Sequence, residues 1–132
     1  MVRALASMLE RSDAAAIVNV SSIASLMGIG SSLAYMASKG ALNALSVGLA
    51  RSLAPQIRVN AIAPGLVETP WMEKGHGERY AATVAGYRGR AALDAVITPE
   101  DVAEAAWFLG VGATKTTGEV LLLDAGLRLR RA

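Results

Sequence analysis

The run Ala-Ala-Ile-Val-Asn-Val at residues 15–20 constrains this chain more than any other stretch. Its apolar side chains are nearly continuous rather than alternating, the pattern of a parallel strand covered on both faces. Parallel strands need long crossovers, usually helical. The sequence that follows has that form. Residues 21–32 are a Ser- and Gly-rich loop, a helix spans about 33–53, and Pro55 stops it. Ile57 to Ala63 then makes a second strand, turned sharply at its end by Pro64-Gly65. Thr98-Pro99-Glu100-Asp101 reads as a helix start, with a Thr cap, Pro at the first position and acids in the first turn. That helix runs through Val102 to Leu109, with Trp107 and Phe108 expected to supply bulk to its packing. Thr116-Thr117-Gly118 turns into a last strand, Glu119 to Leu123, closed by Asp124-Ala125-Gly126. Ahead of all this, Val2, Leu5, Ala6 and Leu9 recur at helical spacing over residues 2–11. The expectation is an α/β fold, a three-stranded parallel sheet with flanking helices and right-handed crossovers.

A chain of 132 residues is at most one domain with a real core. No apolar run approaches the roughly 18 residues of a membrane span, and Met-Val-Arg-Ala-Leu-Ala lacks the apolar core of a secretory signal. A cytoplasmic protein is expected. With no cysteine, disulfides and thiolate metal sites are excluded, and redox chemistry requires a borrowed cofactor. The single histidine, His76, has no second imidazole for a ligand set, so no metal site is expected. A formal charge of +2 is nearly neutral. Arg128, Arg130 and Arg131 read as a solvated terminus rather than a nucleic-acid patch, which would need more basic residues with aromatics among them.

The chemistry gathers around Ser21-Ser22 and the helix carrying Tyr35 and Lys39. Residues four apart share a helix face, so the Lys39 ammonium is expected beside the Tyr35 phenol. A neighbouring cation favours phenolate, which suits Tyr35 to general acid or base work near neutral pH. Ser22 falls at the carboxyl end of the first strand, where open α/β sheets bind ligands. Alone, a Tyr-x-x-x-Lys pair reads better as a surface tyrosine beside a lysine, and other features must agree before it carries chemistry. The same helix carries Ala37, Gly40, Ala41, Ala44 and Gly48, small residues that let the sheet or a partner helix approach closely.

Taken together these features resemble the short-chain dehydrogenase/reductase family. Tyr35 follows Ser22 by thirteen positions, that family's spacing between its catalytic serine and tyrosine, and Lys39 stands at the expected place. Arg58-Val59-Asn60-Ala61-Ile62-Ala63-Pro64-Gly65 is similar to the family's second characteristic strand and its Pro-Gly turn. Val67 and Thr69 match the V-x-T segment whose backbone and hydroxyl hold the nicotinamide carboxamide. Thr117-Gly118-Glu119-Val120 and Asp124-Ala125-Gly126 resemble the closing strand, with Ala125 where a second glycine is commoner. The resemblance implies hydride transfer between NAD or NADP and an alcohol or carbonyl carbon. Tyr35 would exchange the proton, Ser22 would hydrogen-bond the same oxygen, and Lys39 would lower the tyrosine pKa and bond the nicotinamide ribose. Ser21 is one position too far from Tyr35 for the serine role. Pro64, Gly65, Val67 and Thr69, with Tyr35 and Lys39, are the implied cofactor contacts.

The family's T-G-x-x-x-G-x-G turn, its NAD- or NADP-selecting residue and its N-N-A-G segment are not in this sequence. The expected fold is therefore the carboxyl-terminal half of a doubly wound parallel-sheet Rossmann domain over residues 1–132. Its catalytic asparagine would precede Met1, and Asn19, inside the first strand, is not presumed to replace it. The first strand is expected to leave an open edge that invites association, and the Tyr35 helix resembles the family's subunit interface. The expected partners are a second copy of the chain in a dimer or tetramer, or a separate amino-terminal half. Residues 66–97 read as a substrate lid. In it Trp71 and Met72 offer apolar walls for a moderately hydrophobic alcohol or ketone or simply pack the lid, and Arg88 and Arg90 read as solvated. A non-catalytic paralogue acting as an oligomerisation or regulatory module is the alternative.

Overall fold

The computed structural model describes residues 2–129. In order these form helix α1 (Val2–Leu9), strand β1 (Ala16–Val20), a one-turn helix α2 (Ala24–Met27) and helix α3 (Leu33–Leu53). Strand β2 (Arg58–Pro64), helices α4 (Pro70–His76), α5 (Tyr80–Arg88) and α6 (Pro99–Trp107), and strand β3 (Val120–Leu123) complete it. A tight helical turn, Gly77–Arg79, joins α4 to α5, and a wider one, Phe108–Gly112, extends α6. The strands form one parallel sheet in the order β1-β2-β3, with Ile17 opposite Val59 and Ile62 opposite Leu121. Three parallel strands with flanking helices are what the apolar patterning predicts.

Alternation along the strands divides the core into two layers. Val59 and Ile17 pack with Ala50, Leu49 and Leu53 of α3 and Leu9 of α1. Ile62, Val18 and Leu121 pack on the other face with Leu109, Ala105 and Ala106. Central β2 is the strand buried on both faces, with Val59 through Ala63 fully enclosed. Strand β1, predicted to be covered in the same way, is only half-buried, and Val20 is 49% exposed. The reason is position, because among the described residues β1 has a neighbour on one side alone.

Local chemistry sets the helix ends. The Ser32 Oγ accepts the Tyr35 N–H at 3.1 Å and starts α3 where the sequence places it. The predicted Ser- and Gly-rich loop contains α2, which Gly28 ends at a φ of 66°. Thr98 and Asp101 form a reciprocal capping box on α6. The Thr98 N–H and then its hydroxyl hold the Asp101 carboxyl below its ordinary pKa. A depressed folded value means the stabilisation is complete above the ordinary aspartate range and is lost as pH falls through the lower folded value. In acid titration followed by the denaturation midpoint, Asp101→Asn is expected to remove that pH dependence. Trp107 and Phe108 do not serve the core as predicted. They are 70% and 54% exposed, because α6 turns Ala105 and Ala106, and the turn after it Leu109, towards the sheet instead.

Arg58 closes this end of the fold. Its guanidinium donates to the carbonyls of Leu109 and Ala113 at 2.7 and 3.0 Å and of Gly110 at 2.7 Å, satisfying the wide turn after α6. A lysine cannot present that fork. Arg58→Lys is expected to cost about 1–3 kcal/mol, read as a lower urea midpoint at unchanged slope.

Candidate functional site

The parallel sheet brings three carboxyl ends to one edge, and the predicted site residues gather along it. The Ser21 N–H donates to the Ile62 carbonyl at 2.7 Å and the Ile23 N–H to the Pro64 carbonyl at 2.9 Å, so the serine pair is laced to the Pro64-Gly65 turn. Ser21 is buried and its hydroxyl donates to the Lys39 carbonyl at 3.2 Å. Ser22 is half-buried, and its Oγ accepts the Ala24 N–H at 3.2 Å. The two hydroxyls therefore differ in occupation, Ser21 being engaged inside the fold.

Tyr35 sits in the first turn of α3, 37% exposed, and its hydroxyl makes no hydrogen bond among the described residues. The Lys39 Nζ lies 5.8 Å from the centre of its ring and donates to the Val20 carbonyl at 3.0 Å. Strand and helix thus hold the ammonium on the tyrosine, where it attracts the ring's π face. Asn19, in the interior of β1, donates from Nδ2 to the Ser46 Oγ at 2.9 Å and serves the α3 contact.

Past Gly65, the Ile97 N–H donates to the Leu66 carbonyl at 3.1 Å and the Glu68 N–H to the Ile97 carbonyl at 2.8 Å. The two ends of the 66–97 segment are thereby zipped together. In this parallel bridge the N–H and C=O of Val67 itself face away from Ile97. The Thr69 Oγ1 caps α4 by accepting the Met72 N–H at 3.2 Å, leaving its own O–H as a donor. Trp71 is 79% exposed and does not pack the lid. Arg88 meets Glu68 at 3.9 Å across the surface, and Arg90 donates to the Gly86 carbonyl at 3.0 Å.

Sequence reasoning missed Tyr87, which lies on α5 with 7% exposure against Ile23, Val96 and Leu127. Its Oη is buried over the α-carbon of Gly65, without a hydrogen-bond partner among the described residues. Burial pushes its pKa up, the nearby Leu66 N–H, which falls outside hydrogen-bonding geometry, pulls it down, Asp124 pushes it up and Arg90 pulls it down. A separate cavity of about 370 Å³ lies against the end of β3, lined by Leu93, Val96, Ile97, Asp101 and Asp124 among others. Neither Ser22, Tyr35 nor Lys39 lines it. Among the described residues no cluster of histidine and carboxylate groups could hold a metal ion, and no helix is long and apolar enough to cross a membrane.

A parallel sheet between helical layers, with serine, tyrosine and lysine at its carboxyl edge, defines a Rossmann-type α/β protein. A family model described as Enoyl-(Acyl carrier protein) reductase matches residues 1–128. The Bacillus subtilis protein YusR, a short-chain dehydrogenase/reductase homolog, is 38% identical over 96% of this chain and 94% of its own length. The chain belongs to the short-chain dehydrogenase/reductase family, an oxidoreductase family. A Streptomyces violaceoruber protein described as a ketoacyl reductase of the granaticin polyketide synthase is 46% identical over 92% of this chain and 47% of its own length. A Burkholderia xenovorans structure described as a short-chain dehydrogenase/reductase superposes with a TM-score of 0.85 at 44% identity, covering 98% of this chain and 49% of that one. The chain thus spans about half the length of these last two proteins and nearly all of YusR.

Proposed function

We propose that this chain carries the catalytic part of an NAD(P)-dependent alcohol dehydrogenase or carbonyl reductase of the short-chain type. The observation that carries this reading is the Lys39 ammonium, anchored by the Val20 carbonyl and held 5.8 Å from the ring of Tyr35, whose hydroxyl has no hydrogen-bond partner among the described residues. In carbonyl reduction Tyr35 delivers its phenolic proton to the substrate oxygen, and in alcohol oxidation it takes that proton back. Ser22 hydrogen-bonds the same oxygen through its hydroxyl and orients it for that transfer. The bound nicotinamide supplies or accepts the hydride at the substrate carbon.

The chain's residues fit the nicotinamide end of such a cofactor. The outward N–H and C=O of Val67 and the donor of Thr69 suit a carboxamide, and Lys39 suits the ribose hydroxyls. The loop from β1 to α3 carries Gly28 and Gly30, but no described turn from a strand into a helix has the G-x-x-x-G-x-G pattern that cradles a pyrophosphate. Leu26 of α2, Ile29 beyond it, Leu33 at the start of α3 and Trp71 of α4 are exposed apolar side chains in the connections after the strand ends, which favours a moderately hydrophobic alcohol or ketone. The 66–97 segment, closed at its base by the Val67–Ile97 bridge, is the lid over that substrate. The exposed Ala37, Ala41, Ala44, Leu45 and Gly48 of α3 are the surface for a second copy of the chain. This reading places the protein in the cytoplasm.

Calorimetric titration of the purified protein with NADH and with NADPH tests the reading. Saturable binding of either is the expected result. Absence of binding by the folded protein would overturn it in favour of a non-catalytic oligomerisation module.

A further inference from the structure

One face of α3 carries more than the tyrosine. Tyr35, Lys39, Asn43 and Ser46 follow one another at helical spacing, and the last three each bond the segment that bears Ser22. Lys39 holds the Val20 carbonyl and Ser46 accepts from Asn19. Asn43 donates from Nδ2 to the Ser25 Oγ at 2.8 Å, and that hydroxyl donates onward to the Ser22 carbonyl at 2.6 Å. The relay ends on the residue whose hydroxyl the proposed reaction needs. The oxygen of that amide, Asn43 Oδ1, is buried with no hydrogen-bond partner among the described residues. A buried, unsatisfied acceptor is unfavourable, and leucine of similar volume would fill the site without it. The donor half of the amide is therefore what the site uses.

We propose that Asn43 and Ser25 are positioning residues that set the Ser22 hydroxyl relative to Tyr35 by fixing the Ser22 carbonyl from the tyrosine's own helix. Helix α3 then carries one reacting group and locates the other, so the serine and tyrosine move as a unit. This rests on Ser22 being the hydroxyl that meets the substrate oxygen.

The test follows the Ala24 amide, whose N–H donates to the Ser22 Oγ. In the full chain, hydrogen exchange at Ala24 by NMR is expected to accelerate about tenfold in Asn43→Leu and in Ser25→Ala, the loss of roughly one or two hydrogen bonds. Ser25→Thr, which keeps the hydroxyl, is expected to restore the parent rate, and the Val102 amide in distant α6 to stay unchanged. In turnover, kcat is expected to fall about tenfold in the first two variants with KM for the nicotinamide held within twofold, the signature of displaced reacting groups. An unchanged Ala24 rate in Asn43→Leu overturns the proposal. So does acceleration at Val102 equal to that at Ala24, which is general loosening. Failure of the catalytic reading appears separately, as absent nicotinamide binding by the unsubstituted protein, while the exchange result still decides whether the relay holds Ser22.

Discussion

Tyr35→Phe is expected to leave the protein folded and able to bind nicotinamide, and to lower the turnover number by at least about 100-fold. The separation follows from what the hydroxyl touches. Among the described residues it has no hydrogen-bond partner, and the side chain is 37% exposed, so its removal orphans nothing in the fold. The ring that Lys39 approaches at 5.8 Å remains, and Lys39 keeps its bond to the Val20 carbonyl. What disappears is the only proton the proposed chemistry can place on the substrate oxygen, a Ser22 hydroxyl being far too weak an acid to replace a phenol. Thermal midpoint, nicotinamide titration and steady-state carbonyl reduction on one preparation check all three statements. A Tyr35→Phe protein that turns over at the parent rate would remove the tyrosine from the mechanism. Lys39→Met should behave differently, because it also frees the Val20 carbonyl and loosens the junction of β1 with α3.

The placing of Lys39 beside Tyr35 was legible in the sequence because it is local. Tyr35 and Lys39 share one helical turn, and Pro55 marks the end of the helix that carries them. The capping box at Thr98 and Asp101 is likewise written within four residues. Parallel pairing followed from apolar strands separated by helical patterns. What escaped is non-local. Asn43 and Ser25 are 18 positions apart, and Arg58 reaches its carbonyls across 51 to 55 positions, distances at which no periodicity reports contact. Trp107 and Phe108 mislead for a related reason: bulk and hydrophobicity say that a side chain prefers burial, but the helical phase set by Ala105, Ala106 and Leu109 decides which side meets the sheet.

Gly65→Ala is expected to be the most disruptive single-methyl change in the lid region. Gly65 is not among the glycines with positive φ, so backbone strain does not require it. Close approach does. A methyl there would meet the Tyr87 Oη, with the Tyr87 Cζ at 2.9 Å and the Asp124 Cα at 3.3 Å. The ring has little room to retreat, being packed against Ile23, Val96 and Leu127. The turn is no freer, since the Gly65 N–H is bonded to the Leu123 carbonyl at 2.8 Å and the Pro64 carbonyl to the Ile23 N–H. Overpacking of this kind costs about 1–3 kcal/mol, or a fall in Tm of roughly 5–10 °C for a chain of this size. The strain should be felt on both sides of the contact, with α5 exchanging amides faster and nicotinamide binding weakened at the adjoining turn. Tyr87→Phe alone removes a buried hydroxyl that has no partner among the described residues and is expected to be neutral or slightly stabilising. Combined with Gly65→Ala it relieves the hydroxyl clash but leaves the ring carbon too near, so the double variant should recover only part of the loss. Full additivity of the two changes in a thermal-melt cycle would mean that Tyr87 is not seated on Gly65 in solution.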